Sequence, residues 1–252
     1  MVGNWFKTFK IAPRLSRKDW LLTIVPTLIW LGAFNAREYT LKTTCAQFPE
    51  TCQPANVNFA DRDVVQYWSP QADWNSNWTQ YSAGALAIAA PAIWLGANVV
   101  GGQFALATAA VTLGADLLLM LQATVWNGAA NEMIKIAVQR PRPFVYRNPS
   151  NEGKSFNAYS SFYSGHTSFA AGATASLIIT LIARSAPLWF TLMFGLCGAI
   201  MTFVTGTLRV VAGVHFYSDV VFGFFAGIII AIMIQKIHRD SKSKLTTSSP
   251  ML

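Results

Sequence analysis

Six stretches of this chain are apolar for about the length that crosses a bilayer as a helix. They lie at about 20–36, 82–100, 104–126, 167–183, 188–207 and 217–235. Hydrocarbon offers no water to satisfy a peptide group, so runs of this kind must close their own hydrogen bonds as helices. The expected fold class is therefore all-α, an integral membrane six-helix bundle. At 53% hydrophobic and 12% charged residues the chain is too apolar for an ordinary soluble domain. The first span is the weakest, being short and carrying Pro26. Its long leader, and Phe34 where cleavage after Ala36 would want a small residue, read as an anchor rather than a signal peptide.

Charge orients the bundle. Lys7, Lys10, Arg14, Arg17 and Lys18 precede the first span, and Lys236, Arg239, Lys242 and Lys244 follow the last. An even number of spans puts both termini on one side, and the positive-inside tendency makes that side cytoplasmic. The expected organisation is a cytoplasmic leader (1–19), one six-span domain (20–236) and a disordered Ser/Thr/Lys-rich cytoplasmic tail (237–252). The loop 37–81 then lies outside, with three basic residues against five acidic ones. The net charge of +8 reflects this topology and anionic headgroups. No basic stripe interleaved with exposed aromatics suggests nucleic-acid binding.

One outer loop breaks the charge rule. From Lys135 to His166 it holds five basic residues (Lys135, Arg140, Arg142, Arg147, Lys154) against the single acid Glu152. Such a loop implies a bound anion. It also carries two of three short motifs: Lys135-x6-Arg142-Pro143, Ser164-Gly165-His166, and, after the fifth span, Arg209-x5-His215-x3-Asp219. Counting spans places all three on the outer face. Arginine forks and a lysine suit phosphate oxygens. Ser164 and Gly165 precede a helix, where backbone N–H groups favour an anion. His215 and Asp219 are four apart, so on a helix the carboxylate can accept from one imidazole nitrogen and leave the other free to attack. The set needs no metal and points to phosphoryl transfer.

These segments resemble the three signatures of the type-2 phosphatidic acid phosphatase superfamily, K-x6-R-P, P-S-G-H and S-R-x5-H-x3-D. The flanks Gln139–Phe144 and Gly213–Asp219 are similar to those of bacterial members. The resemblance is strong over about 135–225 and implies a phosphatidic-acid-phosphatase/haloperoxidase-like core. It implies that His215 is the nucleophile, that Asp219 orients it, and that His166 protonates the leaving oxygen. Lys135, Arg142, Arg209, Ser164 and Gly165 would hold the phosphate, with no metal or other cofactor. The expected substrate is a lipid phosphate such as phosphatidic acid, phosphatidylglycerol phosphate, undecaprenyl diphosphate or lipid A, and the expected setting a bacterial inner membrane with the site facing the periplasm or exterior. A lipid phosphotransferase, a vanadate haloperoxidase and a non-catalytic scaffold are the alternatives. Oligomeric state is not constrained. Tyr163 replaces the motif Pro, and Leu208 replaces the Ser; the latter would cost about 10²–10³ in rate unless Thr205 or Thr207 supplies the hydroxyl.

Other features read as structural. Cys45 and Cys52 can pair in an oxidising compartment, whereas Cys197 is expected buried and free. Tyr67, Trp68, Trp74, Trp78 and Tyr81 suggest an interfacial belt in the outer loop, or a lid. Gly223-x3-Gly227 and Ser168-x3-Gly172-x3-Ser176 suit close helix packing. Asn77-Trp78-Thr79 is a glycosylation sequon. Asp116 is charged within a span and is either structural or part of substrate access. Asn131 and Glu132 can support Lys135 from the preceding turn, and His238 reads as a surface group of the tail.

Overall fold

The structure, a computed structural model, describes residues 17–247, with side chains as far as His238. The leader to residue 16 and residues 248–252 lie outside the described residues. Six long helices form the bundle: α1 (Arg17–Thr40), α2 (Pro70–Val100), α3 (Leu106–Val138), α4 (Gly165–Ala183), α5 (Leu188–Val211) and α6 (Tyr217–Thr247). No strand occurs among the described residues. All six are long and apolar enough to cross a membrane. The chain is an integral membrane protein.

Helices α2 and α3 run well beyond their apolar stretches. α2 starts at Pro70 rather than 82, because Ser69 caps it by accepting from the Ala72 amide at 3.2 Å and Pro70 stands at the first position. Hydropathy registers only the part that lipid must solvate, so this polar first third escaped it. Trp74, Trp78 and Tyr81 therefore stand exposed on a helix rather than in a loop. α3 runs on to Val138 and ends at Gln139, whose φ of 50° closes it in the left-handed conformation.

α4 is the hub, packed against α2, α3, α5 and α6, while α1 lies against α3. The small faces of α4 and α6 meet backbone to backbone. A Cβ on Gly227 would overlap the Ser168 carbonyl, and one on Gly223 would lie 2.6 Å from the Ser164 carbonyl. Glycine lets α6 approach this closely. The Ser164 amide then donates to the Asp219 carbonyl at 3.0 Å, so two of the three motifs are joined through the main chain.

Above the bundle, Cys45 and Cys52 form a disulfide. It packs with Leu41, Val145, Ala158 and Tyr159. The Tyr159 hydroxyl accepts from the Cys45 amide at 2.8 Å and donates to the Gly153 carbonyl at 2.9 Å. The loop after α1 thus clamps the loop between α3 and α4.

The opposite end, where α1 begins, is closed by buried polar contacts. His238 is buried rather than a surface group of the tail: Nε2 meets Gln122 Oε1 at 2.7 Å, and Nδ1 lies 3.4 Å from Asp19. Helix α6 continues past residue 236 and carries it back against α1 and α3. Asp116 is structural, held by Arg184 through Nε at 3.0 Å and Nη2 at 2.5 Å. Cys197 is free but exposed, because α5 turns one face outward.

Candidate active site

His215 sits in the short turn between α5 and α6. That turn needs Gly213, whose φ is +70° and whose Cβ would collide with the Tyr67 carbonyl. The His215 Nδ1–H donates to the Ser161 carbonyl at 2.7 Å. A carbonyl only accepts, so the proton is on Nδ1 and the lone pair on Nε2. Burial pushes the imidazole down to about 3; the nearby Arg209 and Arg142 charges act in the same direction, and the Asp219 carboxylate opposes them only in part. The ring is neutral at ordinary pH, as a nucleophile must be.

Asp219 serves differently from the direct hydrogen bond expected of it. Its Oδ2 stays 3.7 Å from Nδ1. The carboxylate instead accepts from the Ser161 hydroxyl at 2.5 Å, the Phe216 amide at 2.9 Å and Arg140 Nη1 at 2.6 Å. It ties down both backbone segments that carry the His215 ring and leaves its charge beside that ring. Spacing of four had brought the pair together, but the Ser161 carbonyl arrives closer.

His166 lies in the first turn of α4, with Nε2 2.7 Å from Asn77 Oδ1. Ser164 caps this helix, its hydroxyl accepting from the Thr167 amide at 3.4 Å. Its own amide is committed to Asp219, so Gly165 and His166 provide the outward amides at the helix start. Lys135 belongs here too: a Cβ on Gly165 would stand 3.8 Å from Lys135 Nζ and 2.9 Å from Asn131 Oδ1. Glu132 holds Lys135 at 3.0 Å and, through its other oxygen, Arg37 of α1 at 3.2 Å.

Two guanidinium groups complete the cradle. Arg142 is fixed by its amide to the Ala158 carbonyl at 2.7 Å and by Nη2 to the Ser160 hydroxyl at 3.2 Å. Arg209 donates Nη1 to Asp73 and, at 3.1 Å, to the Ser76 hydroxyl. The Nε of both arginines is buried with no hydrogen-bond partner among the described residues. Arg209, His215, Arg142 and Lys135 all act electrostatically on the His166 ring. All eight residues singled out in the sequence gather at one end of the bundle.

A family model described as the PAP2 superfamily matches residues 116–243, half of the chain and all three motifs. The chain belongs to the PAP2 superfamily. Phosphatase-type activity comes with that membership. No curated protein and no solved structure matches the chain.

Several residues of this PAP2 site carry no spacing signal. Arg140 bridges Asp219 and Asp61, the latter at 2.9 Å, and lies 4.0 Å over the Phe216 ring. Burial raises the Asp61 carboxyl, yet hydrogen bonds from Ser218, Asn58 and Arg140 outweigh it and leave the group below its ordinary value. Only the position of Arg140 beside Arg142 hinted at it. Asp73, Ser76 and Asn77 reach the site because α2 begins early. The departures from the family motif also resolve. Leu208 packs with Ala72, Ala212 and Val214. Thr207 donates to the Phe203 carbonyl at 3.0 Å, and Thr205 to Thr79 at 2.8 Å, so both hydroxyls are engaged along the helices. The hydroxyl that meets Arg209 is that of Ser76. Tyr163 accepts through its carbonyl from Asn131 at 2.8 Å and braces the turn where the family has Pro.

Proposed function

We propose that this protein removes phosphate from a phosphorylated membrane lipid through a phosphohistidine. The observation that carries the reading is the pair of buried, unpartnered Nε–H groups on Arg142 and Arg209 beside a neutral His215. Buried donors of this kind call for an oxyanion. His215 Nε2 attacks phosphorus, the bond to the ester oxygen breaks, and that oxygen takes a proton from His166. The now neutral His166 removes a proton from water, which displaces His215 and releases phosphate. Arg142, Arg209, Lys135 and the amides of Gly165 and His166 stabilise charge on the phosphoryl oxygens. Two steps replace one of the slowest uncatalysed reactions.

A lipid substrate is supported by a groove of about 710 Å³ between α5 and α6, lined by Phe203, Gly206, Val210, Val221 and Phe224. Thr167 lines the same groove, and its hydroxyl is 2.9 Å from that of Ser164 in the site. An acyl or prenyl chain fits there with its phosphate at the cradle. Lys18 and Lys236 lie at the other end of the bundle, and the positive-inside tendency supports a reading in which that end is cytoplasmic and the site faces outside. The resemblance of the motif flanks to bacterial members supports a bacterial inner membrane as the setting.

The test is phosphate release by purified protein in detergent from phosphatidic acid, phosphatidylglycerol phosphate, undecaprenyl diphosphate and lipid A. Release from at least one lipid, retained with chelator and abolished in His215→Ala, is expected. Release from none of them, or strict dependence on added magnesium, overturns the reading. A cysteine replacing Arg147, labelled only by cytoplasmic reagent, overturns the topology.

A further inference from the structure

We propose that Asn77 is the positioning residue of the general acid. This rests on the reading of His166 given above. Asn77 Oδ1 can only accept, so its 2.7 Å contact puts a proton on His166 Nε2. A histidine that acts through one nitrogen is oriented by the hydrogen bond its other nitrogen makes. With Nε2 held by Asn77, Nδ1 is the nitrogen left for the reaction. In the first step the imidazolium passes its Nδ1 proton to the leaving oxygen as the phosphorus–oxygen bond breaks, and the ring becomes neutral with its Nε2–H still on Asn77. In the second step Nδ1 takes a proton from water.

The rest of α2 supports this role. Asp73 and Asn77 are four apart and share a helix face, which touches Arg209 through Asp73 and His166 through Asn77. Ser76 adds its contact to Arg209 at 3.1 Å, and Thr79 meets Thr205 at 2.8 Å. The sequon Asn77-Trp78-Thr79 thus turns both polar side chains toward neighbouring helices. Its Asn serves the site rather than a glycan.

Leaving-group dependence separates positioning of an acid from general support of the fold. An alkoxide leaving group needs the proton, whereas p-nitrophenolate leaves without it. General acid catalysis contributes about 10²–10⁴-fold, so Asn77→Ala should lose about 10–10²-fold in kcat on dioctanoyl phosphatidic acid. On p-nitrophenyl phosphate the burst of p-nitrophenolate that reports the first step should stay within about threefold in the same variant, which also proves that it folds. Asn77→Asp keeps an acceptor oxygen and should recover most of the alkyl turnover. Equal loss on both substrates, or no loss on either, overturns the proposal if His166→Ala is selectively impaired on the alkyl phosphate. A His166→Ala enzyme without that selectivity overturns the reading of His166 and the proposal together.

Discussion

The two ends of the bundle both bury charge, and they do so in opposite ways. Where α1 begins, Asp116 and Arg184 face each other through two bonds, and Asp19, Gln122 and His238 join three helices. There, donors meet acceptors already present. At the other end Lys135, Arg142 and Arg209 converge, and Arg142 and Arg209 each keep a buried Nε–H with no partner among the described residues. The carboxylates of that end leave those two Nε–H groups open: Asp219 and Asp61 lie on Arg140, Glu132 between Lys135 and Arg37, and Asp73 on Arg209 Nη1. Buried charge that is closed on itself marks structure. Buried donors left over mark a place for a ligand.

Removing one arginine from each end breaks that comparison most sharply. Arg209→Ala should lower kcat/KM by about 10²–10³, the range for a lost oxyanion donor, with little change in thermal stability. Arg184→Ala should do the reverse: stability falls by about 3–5 kcal/mol because Asp116 is left buried and unpaired, while kcat/KM of the folded fraction stays within about threefold. Thermal unfolding and steady-state kinetics on both variants check this. A large kinetic loss in Arg184→Ala would erase the distinction between the two ends.

A smaller effect is expected at Asp73, the carboxylate that holds Arg209. An incoming phosphate must share or displace its hold on Arg209. Half of the Asp73 side chain is exposed at 50%, so screening limits its grip. Asp73→Asn should therefore tighten inhibition by inorganic phosphate by about 3–10-fold, corresponding to about 1 kcal/mol. Unchanged inhibition would mean that the carboxylate moves away without competing.

The site should also show itself in the pH dependence of stability. The His215 imidazole lies at about 3 in the folded chain, below its ordinary 6.5. Below pH 6.5 the unfolded chain takes this proton first, so the folded state loses stability as pH falls from 6.5 toward 3. His215→Asn has no such proton to gain. Its Tm should fall less than the wild type's between pH 7 and pH 5, the two slopes differing by a few degrees. Parallel slopes would show that His215 is not held neutral by the site.

What could be read in advance follows from the range of each interaction. Lipid imposes a requirement on every residue of a span, so the six helices were visible as hydropathy alone. Phosphoryl transfer imposes spacing within a turn or two, so His215 with Asp219 and Lys135 with Arg142 were visible as well. Asp61, Asp73 and Asn77 were not, because each meets its partner across a long stretch of sequence, and no local spacing announces such a contact. Arg140 stood in plain view just before Pro141, but nothing local told it apart from Arg142. Only Asp61 and Asp219, brought in by α6 and the outer loop, show that one arginine is structural and the other is not.

Leu208 is the position where motif and structure diverge, and the smallest effect is expected there. Read from the motif, a missing Ser beside Arg209 should cost two to three orders of magnitude, and Leu208→Ser should restore them. The packing argues otherwise. Leu208 joins Ala72, Ala212 and Val214 in an apolar contact between α2 and α5, and the Ser76 hydroxyl already meets Arg209 at 3.1 Å. Serine at 208 would remove apolar contact where α2 docks and add a hydroxyl where one is already supplied. Leu208→Ser should thus leave kcat/KM within about threefold and reduce stability by about 1–3 kcal/mol. Ser76→Ala is the complement: removing the hydroxyl actually in contact should cost about tenfold in kcat/KM, the worth of about 1.4 kcal/mol. If Leu208→Ser instead raises activity a hundredfold, the motif position rather than α2 is where this chain lacks a donor.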